Sequence, residues 1–376
     1  MFASIKQHLL NLPGWRTNRK IVVFESDDWG SIRSSSNESL DALRKIGVKV
    51  DHCAYMKNDA LASEEDLNKL HSVLLQFRDG QGKHPVITAN SIMANPDFEA
   101  IGKSNFEEYK YEPFTETLAK YPEHRNSFDL WKEGMQKKVF FPQLHGREHL
   151  QVSRWLTDLQ KGVKDTLEAF KYRMFGISGH VALNKRNSYM AALDIGKPEF
   201  NFDRSKAIKE AASIFKDHFG FESRSFIAPN YIWDDEIEQA LANADVKYIQ
   251  GTHTQKVSRK DGEPLKTIKH FIGNRNDLGQ LYLTRNTYFE PTSNPNKDWV
   301  KACMKDIQRA FLWNKPAIIS THRVNYVGFL NSENREKNLT MLKELLEKMI
   351  NKWPDIEFMN TVELADLIDQ QNKSGK

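Results

Sequence analysis

Short apolar runs alternate with amphipathic stretches along most of this chain. Ile21-Val22-Val23-Phe24 is uninterrupted, the pattern of a strand buried on both faces. Similar runs recur at 85–90, at 139–144, 225–228, 246–249, 281–284, 317–320 and 356–358. Between them the period switches to that of a helix. Leu67, Leu70, Val73 and Leu74 share one face, as do Trp155, Leu156, Leu159 and Val163. Ile237, Leu241 and Ala244 repeat the spacing, and Leu339, Leu342, Leu345, Leu346 and Met349 form a long stripe near the end. Strand alternating with helix predicts an α/β protein whose strands are parallel and joined by helical crossovers. Seven or eight such units predict a distorted (β/α)7-8 barrel, with an open doubly wound sheet as the alternative. Residues 95–137 break the alternation and read as an excursion over one end of the barrel. Helices over 332–370 complete one domain, 1–376, since no linker, repeat or low-complexity tract divides it.

Composition narrows the class. At ~150 residues per domain, 376 residues suggest two or three domains, but α/β barrels often exceed ~250 residues as one. With 39% hydrophobic and 28% charged residues, a disordered, collagenous or coiled-coil chain is excluded. The balance of 54 basic against 50 acidic residues, without long basic runs, gives no footprint for nucleic acid. Cys53 and Cys303 alone cannot build a disulfide framework or a cysteine-rich zinc site. No stretch approaches the ~18 apolar residues of a membrane span. The first 15 residues lack the basic and apolar regions of an export signal, so the expected location is cytoplasmic.

In parallel α/β folds ligands bind at the carboxyl ends of the strands. After the first strand stand Asp27 and Asp28, followed by Trp29-Gly30. Two adjacent carboxylates repel unless a cation or shared proton intervenes; one can bind a metal while the other stays free as a base. A helix cap or Asx-turn accounts for the pair equally well. After the third strand comes His145-Gly146-Arg147-Glu148-His149. Histidines at i and i+4 share one face of a helical turn and can chelate one ion. His322 ends a later strand and suits general acid–base work, or is simply a satisfied loop histidine. Pro229-Asn230-Tyr231-Ile232-Trp233 is a stiff turn whose aromatics could line a sugar site or pack in the core. Asn90, ending the second strand, is placed for substrate contact. Asp51-His52-Cys53 reads as a surface turn, while His180 and His253 are weaker neighbours of the site.

The order Asp-Asp, His-x-x-x-His, Pro-Asn-Tyr and strand-terminal His resembles the NodB-type polysaccharide deacetylases of carbohydrate esterase family 4. The resemblance runs from about residue 20 to about 325. It implies the distorted barrel of NodB homology domains and a metal-dependent deacetylase removing an N- or O-acetyl group from a carbohydrate. It implies Asp27 as catalytic base and Asp28, His145 and His149 as ligands of one divalent ion, zinc first, then Co2+, Ni2+ or Fe2+. His322 becomes the acid, and Trp29, Asn90, Asn230, Tyr231, Trp233 and Arg285 the substrate-binding set. The chain departs from the pattern at Ile227, where the family places an arginine that braces the base, and in lacking an Asp-x-x-Asp-Trp motif. Arg285 is expected to reach Asp27 instead, with Arg147 and Arg323 as alternatives. Two other readings are an inverzincin-like metallopeptidase, from His145-x-x-Glu148-His149, and a non-catalytic sugar-binding relative.

Overall fold

Lys20–Trp29 forms β1, and everything at the site is arranged around its carboxyl end. The computed structural model describes residues 8–196, 202–260 and 263–374. The further barrel strands are β2 (Ile87–Ile92), β3 (Phe140–Gly146), β4 (Ser225–Ile227), β5 (Tyr248–Gly251), β6 (Leu281–Thr284), β7 (Thr287–Tyr288), β8 (Ala317–His322) and β9 (Ile356–Phe358). Their hydrogen-bonded order is β6-β5-β4-β3-β2-β1-β8-β7, with β9 paired to the start of β1. Every pairing in this sheet is parallel.

The two ends of that path are consecutive in the chain. Arg285 N–H donates to Gly251 O at 2.8 Å and Asn286 N–H to Ile318 O at 3.2 Å. Within these two residues the backbone leaves the β5 side and joins the β8 side. β6 and β7 therefore act as one bent stave that closes a distorted (β/α) barrel, as the alternation of strand and helix predicts. The apolar runs have become strands because each is buried on both faces, as parallel strands between helices must be.

Side chains of β1 alternate between two environments. Val22 and Phe24 share a core with the flanking helices, including Leu67, Leu70, Leu342 and Leu345. Ile21 and Val23 point into the barrel with Leu281, Leu283 and Ile318. The helix Thr361–Ser374 plugs that interior with Leu364, Ala365 and Ile368, and Thr361 Oγ1 donates to Glu25 Oε1 at 2.8 Å. Glu25 and Asp27 continue the inward face.

The 95–137 excursion is structured. Ala94–Pro96 and Tyr111–Pro113 pair as an antiparallel hairpin. Asn95 ties it to the turn after β1, accepting from Ile32 N–H at 2.8 Å and donating to Gly30 O at 2.9 Å. The helix Ser127–Gln136 instead returns along the flank, with Trp131 against Phe140. The excursion thus covers the carboxyl end only with its first half. No helix among the described residues is long and apolar enough to cross a membrane. Of the N-terminal stretch read for an export signal, residues 1–7 lie outside the described residues.

Candidate active site

Neighbouring residues of a regular strand face opposite sides, so Asp27 and Asp28 should diverge. The register of β1 against β2 shifts between Ser26 and Trp29, and Asp28 adopts φ +74°. This bulge re-aims Asp28 while Asp27 stays inward. Each carboxylate then meets a different set of partners.

Asp27 meets an arginine. Arg285 Nη2 donates to Asp27 Oδ1 at 2.6 Å, Nη1 to Oδ2 at 2.7 Å, and Nε to Glu25 Oε2 at 2.7 Å. Asn90 Nδ2 donates to the same Oδ1 at 2.8 Å and to Gln250 Oε1 at 2.9 Å. Burial pushes the Asp27 carboxyl up, but the charge and hydrogen bonds of Arg285 outweigh it and hold Asp27 below its usual range. Burial pushes Glu25 up against the pull of Arg285. Arg147 binds Glu148 and Glu210, and Arg323 binds Asp59, so neither serves Asp27.

Asp28 meets two histidines. Its Oδ1 lies 3.4 Å from His145 Nε2 and 3.3 Å from His149 Nε2, and one ligand atom from each residue falls within 4.8 Å of the others. His145 Nδ1 faces Ile227 O at 2.8 Å. A carbonyl has no proton to give, so Nδ1 carries the hydrogen and Nε2 keeps its lone pair. That Nε2 is buried with no hydrogen-bond partner. Burial would raise Asp28, yet the imidazoles of His149 and His145 hold it well below the ordinary value. Burial lowers His149 and keeps it neutral, the form a metal requires. An orphaned imidazole nitrogen beside a carboxylate and a second imidazole fits a divalent cation.

The helical turn expected for the histidines is absent. His145 lies within β3, Gly146 has φ +127°, and residues 147–150 are irregular. The rings meet because the chain turns sharply at Gly146, with centroids 5.1 Å apart. Glu148 is buried in an ion pair with Arg147, so the peptidase geometry, with both histidines on one helix and a free glutamate base, is not formed.

His322, at the end of β8, pairs in register with Asp27. Its Nδ1 donates to Glu290 Oε1 at 2.6 Å, its Nε2 lies 3.7 Å from Asp27 Oδ2, and its ring meets the Tyr55 ring edge-on at 5.4 Å. Asn325 Nδ2 steadies Glu290 at 2.8 Å. Burial opposes the charge on His322, but Glu290, helped by Asp27 and Asp28, raises it to about 10.

Four residues assigned to substrate contact are corrected by their burial. Trp29 is 1% exposed, packs against Phe140 and Trp131, and donates from Nε1 to Ser26 Oγ. Trp233 is 2% exposed, stacks on His270 and donates to Glu238. Each indole finds its partner inside, which makes it core. Asn90 and Arg285 are sealed below the mouth, where they position Asp27. Asn230 is exposed and Tyr231 half-buried at the rim, both with positive φ, and Tyr231 Oη accepts from Arg285 Nη1 at 3.4 Å. The Tyr231 N–H is taken by Ala228 O. His253 Nδ1 donates to His270 O, and Asp51 pairs with Arg44. Sequence reasoning passed over Glu25, Tyr55, Gln250 and Arg33. Glu25 carried a signal, two residues before Asp27 on the same strand face; the others come from a short helix, a strand and a loop without a motif.

The profile of glycosyl hydrolase family 57 matches residues 55–289. That span includes His145 and His149 but not Asp27, Asp28 or His322. No curated protein sequence matches the chain. Solved structures similar to it include a Mycobacterium smegmatis protein assigned as a polysaccharide deacetylase, 10% identical, covering 96% of this chain and 94% of that one, with TM-score 0.46. The 4-alpha-glucanotransferase of Thermococcus litoralis is 11% identical, covering 93% of this chain and 40% of that one, with TM-score 0.45. The family-57-type branching enzyme of Pyrococcus horikoshii is 9% identical, covering 93% and 70%, with TM-score 0.45. With more than half its length matched by one profile, this barrel belongs to glycosyl hydrolase family 57 and is a carbohydrate-active hydrolase.

Proposed function

We propose that the chain is a divalent-cation-dependent deacetylase that hydrolyses an N- or O-acetyl group of a carbohydrate. The observation that carries this reading is the divergence of two adjacent carboxylates from one bulged strand. Asp28 faces two imidazoles, each with a buried nitrogen that lacks a hydrogen-bond partner, and Asp27 faces an arginine and a histidine. Asp28, His145 and His149 would hold the ion, with zinc the first choice for one carboxylate and two imidazoles. When bound, such an ion polarises an acyl carbonyl and acidifies water.

The remaining work falls to this chain's own groups. Asp27 is ionised at neutral pH and takes the proton of the attacking water. Arg285 and Asn90 fix both of its oxygens, so the proton is accepted at a defined position. The water oxygen bonds to the acyl carbon, and the bond from that carbon to the sugar nitrogen or oxygen breaks. His322, charged at neutral pH and steadied by Glu290, gives its Nε2 proton to the leaving atom. The rim residues Asn230 and Tyr231 flank the sugar.

Family membership favours a second reading, cleavage of a glycosidic bond by two carboxylates. That chemistry needs one carboxylic acid held protonated at the mouth. Glu25, whose carboxyl is pushed up, lies sealed behind Arg285, while Asp27 and Asp28 are held below their usual range. One assay separates the two. Acetylated and de-acetylated oligosaccharides are incubated with the protein, with and without chelator, and released acetate and new reducing ends are both counted. Cation-dependent acetate release that Asp27→Asn abolishes supports the deacetylase; reducing ends without acetate, unaffected by chelator, sink it.

A further inference from the structure

Among the described residues the buried arginines follow a rule with one exception. Arg147, Arg154, Arg285, Arg309, Arg323 and Arg335 each hold a carboxylate, namely Glu148, Asp194, Asp27, Asp306, Asp59 and Asp66. Arg33 is 8% exposed and has no hydrogen bond or ion pair among the described residues. Its Nε is sealed from solvent without an acceptor. A sealed donor left without an acceptor is costly, and this side chain is held in a made place. Gly176 leaves room for its stem, since a Cβ there would stand 2.7 Å from Arg33 Cδ. Its guanidinium carbon lies 5.4 Å from the centre of the Tyr55 ring, and that ring meets His322. The charge of Arg33 is also felt at His149 and at Asp59, whose carboxylate is already bound to Arg323. Arg33 therefore lies against the ring that meets the proposed acid, close enough to the proposed cation ligand His149 for its charge to act there, and makes no hydrogen bond among the described residues.

We infer that Arg33 binds an oxyanion carried by the substrate, a carboxylate or a phosphate, so that the sugar is an anionic one. This deepens the carbohydrate reading above and rests on it for the sugar, though not for the deacetylation. Planar, forked guanidinium donors match either oxyanion, and a charge-assisted pair out of bulk water adds roughly tenfold or more to affinity.

Calorimetry on the full chain tests this, with and without added Zn2+, using D-glucuronate, glucose 1-phosphate and neutral D-glucose as probes. Glucuronate against glucose 1-phosphate tells carboxylate from phosphate. The expected result is roughly tenfold or stronger preference for one charged sugar over glucose without added cation, as a charge-assisted pair provides. Arg33→Gln should erase the preference, and Arg33→Lys, which keeps charge but not the fork, should retain part of it. If Arg33→Gln does not fold, the wild-type preference, its loss at high salt and the Arg33→Lys value decide. Equal or undetectable binding of charged and neutral sugars overturns the inference. So does a preference that needs added Zn2+ and survives Arg33→Gln, because the cation site then holds the anion. Arg33-dependent binding without acetate release from any acetylated sugar would leave this inference standing and sink the deacetylase.

Discussion

Arg285 turns a pair of repelling inward carboxylates into a positioned base. Arg285→Met should remove the guanidinium shared by Glu25 and Asp27 and break a buried ion pair, at a cost of about 3–5 kcal/mol in stability. Acetate release should fall steeply while metal content by elemental analysis stays unchanged, because Arg285 touches none of Asp28, His145 or His149. Loss of metal together with rate would mean that the two carboxylates are not independent. Glu290 sets a second expectation, for pH. It holds His322 charged up to about 10, against an ordinary 6.5. An acid must be protonated, so turnover should fall only as pH rises through that raised value. The same charge contributes stability fully below about 6.5, and that contribution drains away as pH rises through about 10. Glu290→Gln should therefore move the alkaline limb of the rate profile toward neutrality; a limb that stays in place removes His322 from the acid's role.

At the scale of elements, β1 is both the most legible strand and the source of what the sequence hid. Its apolar run, like those of the other strands, is readable because parallel strands between helices bury both faces. The carboxyl-end rule then directs attention to Asp27, Asp28, His145 and His322. What no pattern carries is backbone irregularity. The bulge at Asp28, the turn at Gly146 and the two-residue crossing at Arg285-Asn286 depend on contacts between distant segments. The same limit explains Trp29 and Trp233: an indole next to a motif looks like a sugar platform until its N–H partner is known to be internal. Gly30 makes the bulge testable. It has φ +82°, and a Cβ would stand 2.4 Å from Ile92 O, a backbone atom of β2 that cannot swing aside. Gly30→Ala should cost about 1–3 kcal/mol from the positive φ alone, with the clash adding to it, read as a lower urea midpoint at unchanged slope. Activity should drop further than stability does, since Asp28 lies two residues away. An alanine variant with wild-type midpoint and rate would show that the turn relaxes without moving Asp28.

For the whole molecule, the proposed cation would join β1, β3 and the loop after β3, three segments that meet only at the carboxyl end of the barrel. A ligand that binds the folded state alone stabilises it by about 2.7 kcal/mol at a hundred times its dissociation constant. Unfolding entropy near ~2.1 cal/mol/K per residue over 376 residues gives about 0.8 kcal/mol/K, so Tm should rise by about 3 °C. The unfolded chain, with 12 histidines and two cysteines, competes for zinc, which makes that figure an upper value. Asp28→Ala should abolish the rise. Asp27→Asn should keep it, because Asp27 is bound to Arg285 and Asn90 and lies outside the ligand set, yet the same variant should lose most acetate release, ~10²–10⁴-fold for a lost general base. Scanning calorimetry of the three proteins against rising Zn2+, paired with the acetate assay, separates binding from chemistry within one carboxylate pair. An undiminished zinc shift in Asp28→Ala would place the ion elsewhere and remove the structural basis of the proposed reaction.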